Sequence, residues 1–394
     1  MINKPKLVVL LSRFPYPLEK GDKLRAHHQI KYLSNEFSIY LICTTDQQIT
    51  NEHKLKLQKY CTEITVFKLN KYIQYLHVVL NYFLTKPYQV AYFHNLLIAR
   101  KITKKIHLLK PDHIYAQLIR TSEYVKNYHD CPKTLDYMDA FSKGMERRMK
   151  KSHWWDKWIY KQEFLRLRNY EKQIFEYFEH HSIISKADRD FIFHPQNEKI
   201  QIIENGIDTE FYTPNKCEKR PTLLFTGNMS YVPNINAASF IYKELYPFCK
   251  KNNILITICG TKPSKKLKSW NSEDFRITGW VEDIRLYYNN SYVFIAPMFL
   301  GTGLQNKILE ALSMGLPCIT TSLANQSIQA EPNEEILIAD TTDEFIKHIK
   351  TLFSENELYF KLSENGRKFA QKKYIWENIN EKLVEIIKNS LKKS

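Results

Sequence analysis

Residues 301–321 read GTGLQNKILEALSMGLPCITT, and the apolar run YVFIAPM (292–298) leads into them. The order is strand, glycine-containing turn, helix, Gly-Leu-Pro stop and second strand, which is the βαβ unit of a parallel sheet. Gly301 and Gly303 let the backbone come close to a ligand, and the helix that follows aims its free N–H groups and positive dipole end at the same place. Lys307 and Glu310 lie three residues apart and so share a helix face. A cation and amides suit phosphates, and a carboxylate suits two ribose hydroxyls. The segment therefore fits a nucleotide diphosphate better than the competing reading, a buried βαβ unit with a surface ion pair, because the whole strand–turn–helix–strand context is present.

The same alternation runs outward in both directions. Upstream, KLVVLLS (6–12), FSIYLICT (37–44), ITVFKL (64–69), HIYAQ (113–117), TLDYMD (134–139) and HHSIIS (180–185) read as strands, the last closing the first half. Nearer the motif come TLLFTGN (222–228), ILITICG (254–260) and FRITGW (275–280), and beyond it EILIAD (335–340). Strands alternating with helices predict an α/β protein with two doubly wound parallel sheets, whose ligands bind outside the carboxyl ends of the strands. The turn NGID (205–208) and the polar stretch TPNKCEKRP (213–221) mark the join. The expected domains are 1–198, 199–372 and a C-terminal helix, 373–394, packing back on the N-terminal domain.

Composition sets the outer bounds. At 394 residues and 43% hydrophobic content the chain suits two packed domains and excludes wholesale disorder. The N-terminal apolar run (7–11) is too short for a signal peptide, and no run is long enough to span a membrane, so a cytoplasmic protein is expected. The seven cysteines form no CxxC pair and read as reduced core residues, with no metal site. A net charge of +16 implies an anionic partner. No zinc-finger, helix-turn-helix or RNA-binding sheet signature accompanies it, which argues against nucleic acid.

Taken together, IIENGIDTEFY (202–212), LLFTGNMSYVPN (223–234), TGWVEDIRLYY (278–288) and the opening motif resemble the nucleotide-sugar-binding half of family 4 GT-B glycosyltransferases, the retaining type. PYPLEKGDKLR (15–25), LDYMDAFS (135–142) and RLRNYE (166–171) extend the resemblance over nearly the whole chain, toward transferases of exopolysaccharide and outer-membrane glycan synthesis. The resemblance implies two Rossmann-like domains facing across a cleft. It implies a UDP- or GDP-linked sugar donor, a glycan or lipid-linked acceptor, no cofactor beyond the donor, and a metal-independent hexosyl transfer.

Residue by residue, the resemblance puts Glu310 on the nucleotide ribose and Lys307 on the diphosphate. Backbone N–H groups of Gly301, Thr302 and Gly303 would approach the sugar phosphate. Main chain at Trp280 and Val281 would border the base, and Gly21 would face the donor from the other domain. Two departures stand out. Many members have two glutamates with seven residues between them, whereas here the position eight before Glu310 is Thr302. Many also have a basic pair after the first strand of the second domain, whereas TGNMSYVPN has no Lys or Arg; Lys307 is then the phosphate cation.

Acceptor-side candidates are Asp136 and Asp139 at the end of a strand, with Arg120 as a further possibility; each also reads as a helix cap or salt bridge. Asp188 and Asp190 have DxD spacing but read as an exposed helix start. At least one of His27 and His28 is expected on the surface. Residues 143–170 contain nine Lys/Arg and three Asp/Glu, with Trp154, Trp155, Trp158 and Ile159 among them. Basic residues with aromatic anchors suit an anionic membrane, here the inner face of the cytoplasmic membrane, though a packed helix with a solvated basic face fits equally. Residues 70–88, rich in Tyr and aliphatics, are expected to pack their apolar stripe on the sheet. Two other functions remain open at this point: a GT-B nucleotide-sugar epimerase, and a non-catalytic polyanion-binding protein.

Overall fold

The apolar runs become parallel strands, the central ones buried on both faces. A computed structural model describes residues 4–18, 20–215, 218–301 and 303–392, divided into two compact units: residues up to Glu204 together with those from Ile379, and Asn205–Asn378. Thr302 and Cys217 lie outside the described residues.

In the first unit the strands are β1 (Lys6–Leu11), β2 (Ser38–Thr45), β3 (Glu63–Lys68), β4 (His113–Gln117), β5 (Lys133–Asp136), β6 (His180–Ile183) and β7 (Gln201–Ile202). Their order is β3-β2-β1-β4-β5-β6-β7, all parallel, with Val8 opposite both Tyr40 and Ile114. Side chains alternate along β1. Val8 and Leu10 join one apolar cluster with Leu135 and Leu167, while Leu7, Val9 and Leu11 join another with Ala26 and Ile30. Helices therefore cover both faces, as a parallel sheet requires. The helix Trp376–Leu391 supplies Ile379, Leu383 and Ile387 to that second cluster, and Ser390 Oγ lies 2.9 Å from His113 Nδ1.

The second unit repeats the pattern with β8 (Thr222–Thr226), β9 (Leu255–Cys259), β10 (Phe275–Gly279), β11 (Val293–Ala296), β12 (Cys318–Thr320) and β13 (Leu337–Ile338), ordered β10-β9-β8-β11-β12-β13. In both sheets the chain starts centrally, builds to one side, then returns to build the other. The reversal opens a crevice at the carboxyl ends of β1 and β4 in one unit, and of β8 and β11 in the other.

Four expectations need correction. A seventh strand, β7, follows HHSIIS, because Ile202 pairs with Ile183 before the chain leaves the first unit. Neither His27 nor His28 is fully exposed: on the helix Gly21–Leu33, His27 is half-buried and His28 buried, edge-on to the His27 ring. The stretch 70–88 does not pack its apolar stripe inward: in the helix Lys71–Leu80 only Gln74 is buried. Residues 143–170, moreover, are not one helix but parts of two, Phe141–Lys151 and Trp154–Phe175. The six described cysteines are buried and free, and burial raises their thiols, so they are core side chains.

Candidate active site

In the second unit the crevice between β8 and β11 is floored by the turn after β11. Gly301 and Gly303 have φ of +103° and +110°, a region that L side chains rarely adopt, so this turn needs glycine. The helix Asn306–Ser313 starts directly after it, with no side chain capping its N–H groups. Its apolar residues Ile308, Leu309, Ala311 and Leu312 are buried against the sheet, which fixes the opposite edge bearing Lys307 and Glu310.

Lys307 and Glu310 are both partly accessible to solvent but sit in a protein-lined recess. Loss of hydration there lowers the Lys307 ammonium to about 8, partly opposed by Glu310, and raises the Glu310 carboxyl. They do not neutralise each other by direct contact. Lys307 Nζ donates to Asn234 Oδ1 at 2.6 Å, and lies 5.2 Å from the centre of the Phe225 ring. Glu310 Oε2 accepts from the Tyr288 hydroxyl at 2.9 Å, and the carboxylate accepts a second hydrogen bond from Tyr212. Tyr288, fully buried, also meets Thr226 Oγ1 at the end of β8 (2.9 Å). The Tyr212 carbonyl accepts from Ser313 on the same helix as Glu310 (2.8 Å).

This arrangement keeps both groups usable. A carboxylate offers about four acceptor positions, and the two tyrosines leave room for a pair of hydroxyls. An ammonium has three donors, one of which goes to Asn234. Asn234, Tyr212 and Tyr288 carry no role in the sequence reading, although each lies in a stretch quoted for the resemblance.

Trp280 and Val281 follow Gly279 at the carboxyl end of the edge strand β10, on the same rim of the sheet. Trp280 is exposed, and no described contact joins it to Lys307 or Glu310. Gly21 opens the helix Gly21–Leu33 in the first unit, with no atom within 4 Å of where a Cβ would stand.

Also in the first unit, Asp136 and Asp139 prove different in kind. Asp136 ends β5 fully buried, accepting from Arg25 Nε at 2.7 Å and from the Tyr115 hydroxyl at 2.6 Å. Burial opposes ionisation, but Arg25 and these hydrogen bonds hold its carboxyl below the usual range. It is a structural ion pair. Asp139 is solvent-accessible, and crowding by protein together with Asp188 and Asp136 pushes its carboxyl up to about 6 against the pull of Arg25 and Arg147. Arg120 lies between the rings of Phe93 and Phe141, at 4.9 and 4.8 Å, and donates to Gln89 Oε1 at 2.7 Å. Asp188 accepts from Ser185 and Lys143, and so reads as a cap and ion pair.

The family model of the glycosyl transferases group 1 matches residues 220–355, from the start of β8 past the helix bearing Lys307 and Glu310. The matched residues all lie within the second unit. An uncharacterized 44.6 kDa protein in the cps region of Klebsiella pneumoniae is 24% identical, over 94% of this chain and 96% of its own length. A glycosyltransferase from Rickettsia africae superposes with a TM-score of 0.66 at 13% identity, covering 99% of this chain and all of that one. HepE of Anabaena, solved in complex with UDP-glucose, gives 0.67 at 12% identity, covering 97% and 99%. At these identities the two structures establish the fold, which is GT-B.

Proposed function

We propose that the protein is a retaining hexosyltransferase of family 4, moving a sugar from a nucleoside diphosphate to a glycan or lipid-linked acceptor in bacterial cell-surface polysaccharide synthesis. The observation that carries this reading is the placement of Lys307 and Glu310. They stand on one helix, behind a turn that needs glycine, at the reversal point of the second unit's sheet. The cps-region relative supports the biosynthetic setting, and the UDP-glucose bound to HepE supports a nucleotide-sugar donor.

In this reading Glu310 accepts from two ribose hydroxyls, while Lys307 and the amides of the Gly301 turn meet the diphosphate. Gly21 contributes from the first unit, and Trp280 and Val281 border the base. As the bond from the sugar's anomeric carbon to the phosphate oxygen breaks, charge grows on the diphosphate, and Lys307 with the helix N–H groups stabilises it. The acceptor hydroxyl bonds to the anomeric carbon on the same face, and its proton passes to the departing phosphate. Asp139 orients that hydroxyl. No metal or separate cofactor enters the scheme, and transfer is expected to continue in EDTA.

Donor class is tested by thermal shift with nucleoside diphosphates and nucleotide sugars, because a ligand that binds only the folded state raises the melting temperature. A stabilising nucleotide sugar must then yield transfer to an acceptor with the anomeric configuration kept. Inversion, or conversion of the donor sugar without an acceptor, as in an epimerase, would reject the reading.

A further inference from the structure

The helix Lys71–Leu80 is turned inside out relative to an ordinary surface helix. Its buried side chain is Gln74, whose amide oxygen and nitrogen find no partner, while Tyr72 (86% exposed), Leu76 (56%) and Val79 (63%) face outward with Ile73, Tyr75 and Leu80. Arg166 donates to the carbonyls of Asn81 (2.7 Å) and Tyr82 (2.8 Å), tying the end of this segment to the helix Trp154–Phe175. There Tyr82 meets Trp158, ring centres 5.9 Å apart. Trp154 (81% exposed) and Trp155 stand one turn earlier, so the two segments join into one aromatic and aliphatic surface. Soluble monomers rarely leave so many large apolar side chains together in water.

Charge says what covers this surface. Residues 64–111, which contain the first segment, have eight Lys/Arg and no Asp or Glu. Residues 143–170, which contain the second, have nine Lys/Arg against three Asp/Glu. A second copy would bring two positive faces together, which is unfavourable. A soluble polyanion would meet the cations but leave Leu76, Val79 and Leu80 in water. We infer that this face of the first unit seats on the surface of an anionic lipid bilayer, with Tyr72, Leu76, Val79 and Trp158 entering the headgroup boundary and the surrounding Lys and Arg meeting lipid phosphates. No helix among the described residues is long and apolar enough to cross a membrane, so the helix lies in the interface. The inference stands apart from the transfer chemistry, since it concerns only the first unit's surface.

The test is co-sedimentation of the full chain with vesicles of phosphatidylcholine alone or mixed with phosphatidylglycerol. The protein is expected to pellet with the mixed vesicles only and to be released as salt rises. The triple change Leu76→Ser, Val79→Ser, Trp158→Ser is expected to lower partitioning on the order of tenfold or more, since burying one such side chain gains ~1.5 kcal/mol or above. Reversal of Arg148, Lys157 and Lys161 to Glu is expected to do the same at low salt. Thermal unfolding and nucleoside diphosphate binding of each variant, measured alongside, report fold and donor site separately; Trp154→Ser alone serves as a milder variant. The inference is overturned if the wild type stays in solution with anionic vesicles, or if the apolar variants pellet as well as it does. A dimer that the triple change converts to monomer would overturn it equally, by naming a second copy as the occupant.

Discussion

Lys307 donates to Asn234 at 2.6 Å, so the cation beside the glycine turn is held by an amide from the helix that follows β8. The bond aims the ammonium without neutralising it, because an amide oxygen accepts a proton donor but carries no charge. Lys307 thus stays cationic while its recess, by stripping water from it, brings its pKa down to about 8.

The first prediction follows from that value. Lys307 gains its proton below about pH 8 and loses it above, so nucleoside diphosphate affinity of the free enzyme should fall as pH rises through 8. Lys307→Arg should remove this alkaline limb, since a guanidinium stays charged. Lys307→Ala should lower turnover more than it weakens nucleoside binding. Calorimetric titration with UDP and GDP between pH 6.5 and 9.5 makes the measurement; a wild-type affinity flat across pH 8 counts against the assignment.

Glu310 should matter chiefly through hydrogen bonds. Glu310→Ala should cost the equivalent of one charge-assisted hydrogen bond or more, ~1.5–3 kcal/mol at the least, so about 10–150-fold or greater in nucleotide affinity with the fold intact. Tyr288→Phe leaves the carboxylate in place but removes one of its two anchors. It should cost less, and raise KM for the donor more than it lowers kcat. Wild-type affinity in Glu310→Ala would remove this residue from the site.

Asp139 carries a pH signature of its own. Its carboxyl is raised to about 6, so it is ionised above that pH and protonated below. If the ionised form orients the acceptor hydroxyl, kcat/KM for the acceptor should drop about tenfold per unit below pH 6. Asp139→Asn should be slow and lack that limb, with donor affinity unchanged. An unaltered acid limb in Asp139→Asn would exclude the role.

Asp136 and Arg25 predict stability, not activity. Both are fully buried, so Asp136→Ala leaves a guanidinium without its counter-ion and should destabilise the fold by about 3–5 kcal/mol. Because the Asp136 pKa is depressed, its stabilisation is complete above the unfolded value near 4 and is lost as pH falls through the lower folded value. Chemical denaturation at pH 7 and pH 3 reads both effects.

Much of the architecture was legible because parallel strands buried on both faces leave near-continuous apolar runs; β1, β2, β4 and β9 lie within a residue or two of where those runs stand. Strand β7 was not, since two residues carry no periodicity. At the candidate site, the placement of Lys307 and Glu310 on one helix was readable from their spacing. Their partners Asn234, Tyr288 and Tyr212 could not, because each comes from a different segment and only folding brings them together. The helix Lys71–Leu80 misled for an instructive reason: an apolar stripe marks a face that shuns water, and says nothing about what covers that face. Asp136 and Asp139 looked equivalent three residues apart, yet one ends a buried strand and the other lies beyond it in solvent.

The helix Trp376–Leu391 has a consequence for the order of events on the ribosome. Its Ile379, Leu383 and Ile387 belong to the core of the first unit, yet they are translated after the whole of the second. The second unit is continuous in sequence and can mature as it emerges, whereas the unit begun first must wait for the last helix before one face of its sheet is sealed. Newly made chains therefore pass through an interval in which Leu7, Val9 and Leu11 lack their final cover. A premature stop after residue 378 would prolong that interval indefinitely while sparing Lys307 and Glu310, so the nascent first unit, not the second, is where chaperones would be needed.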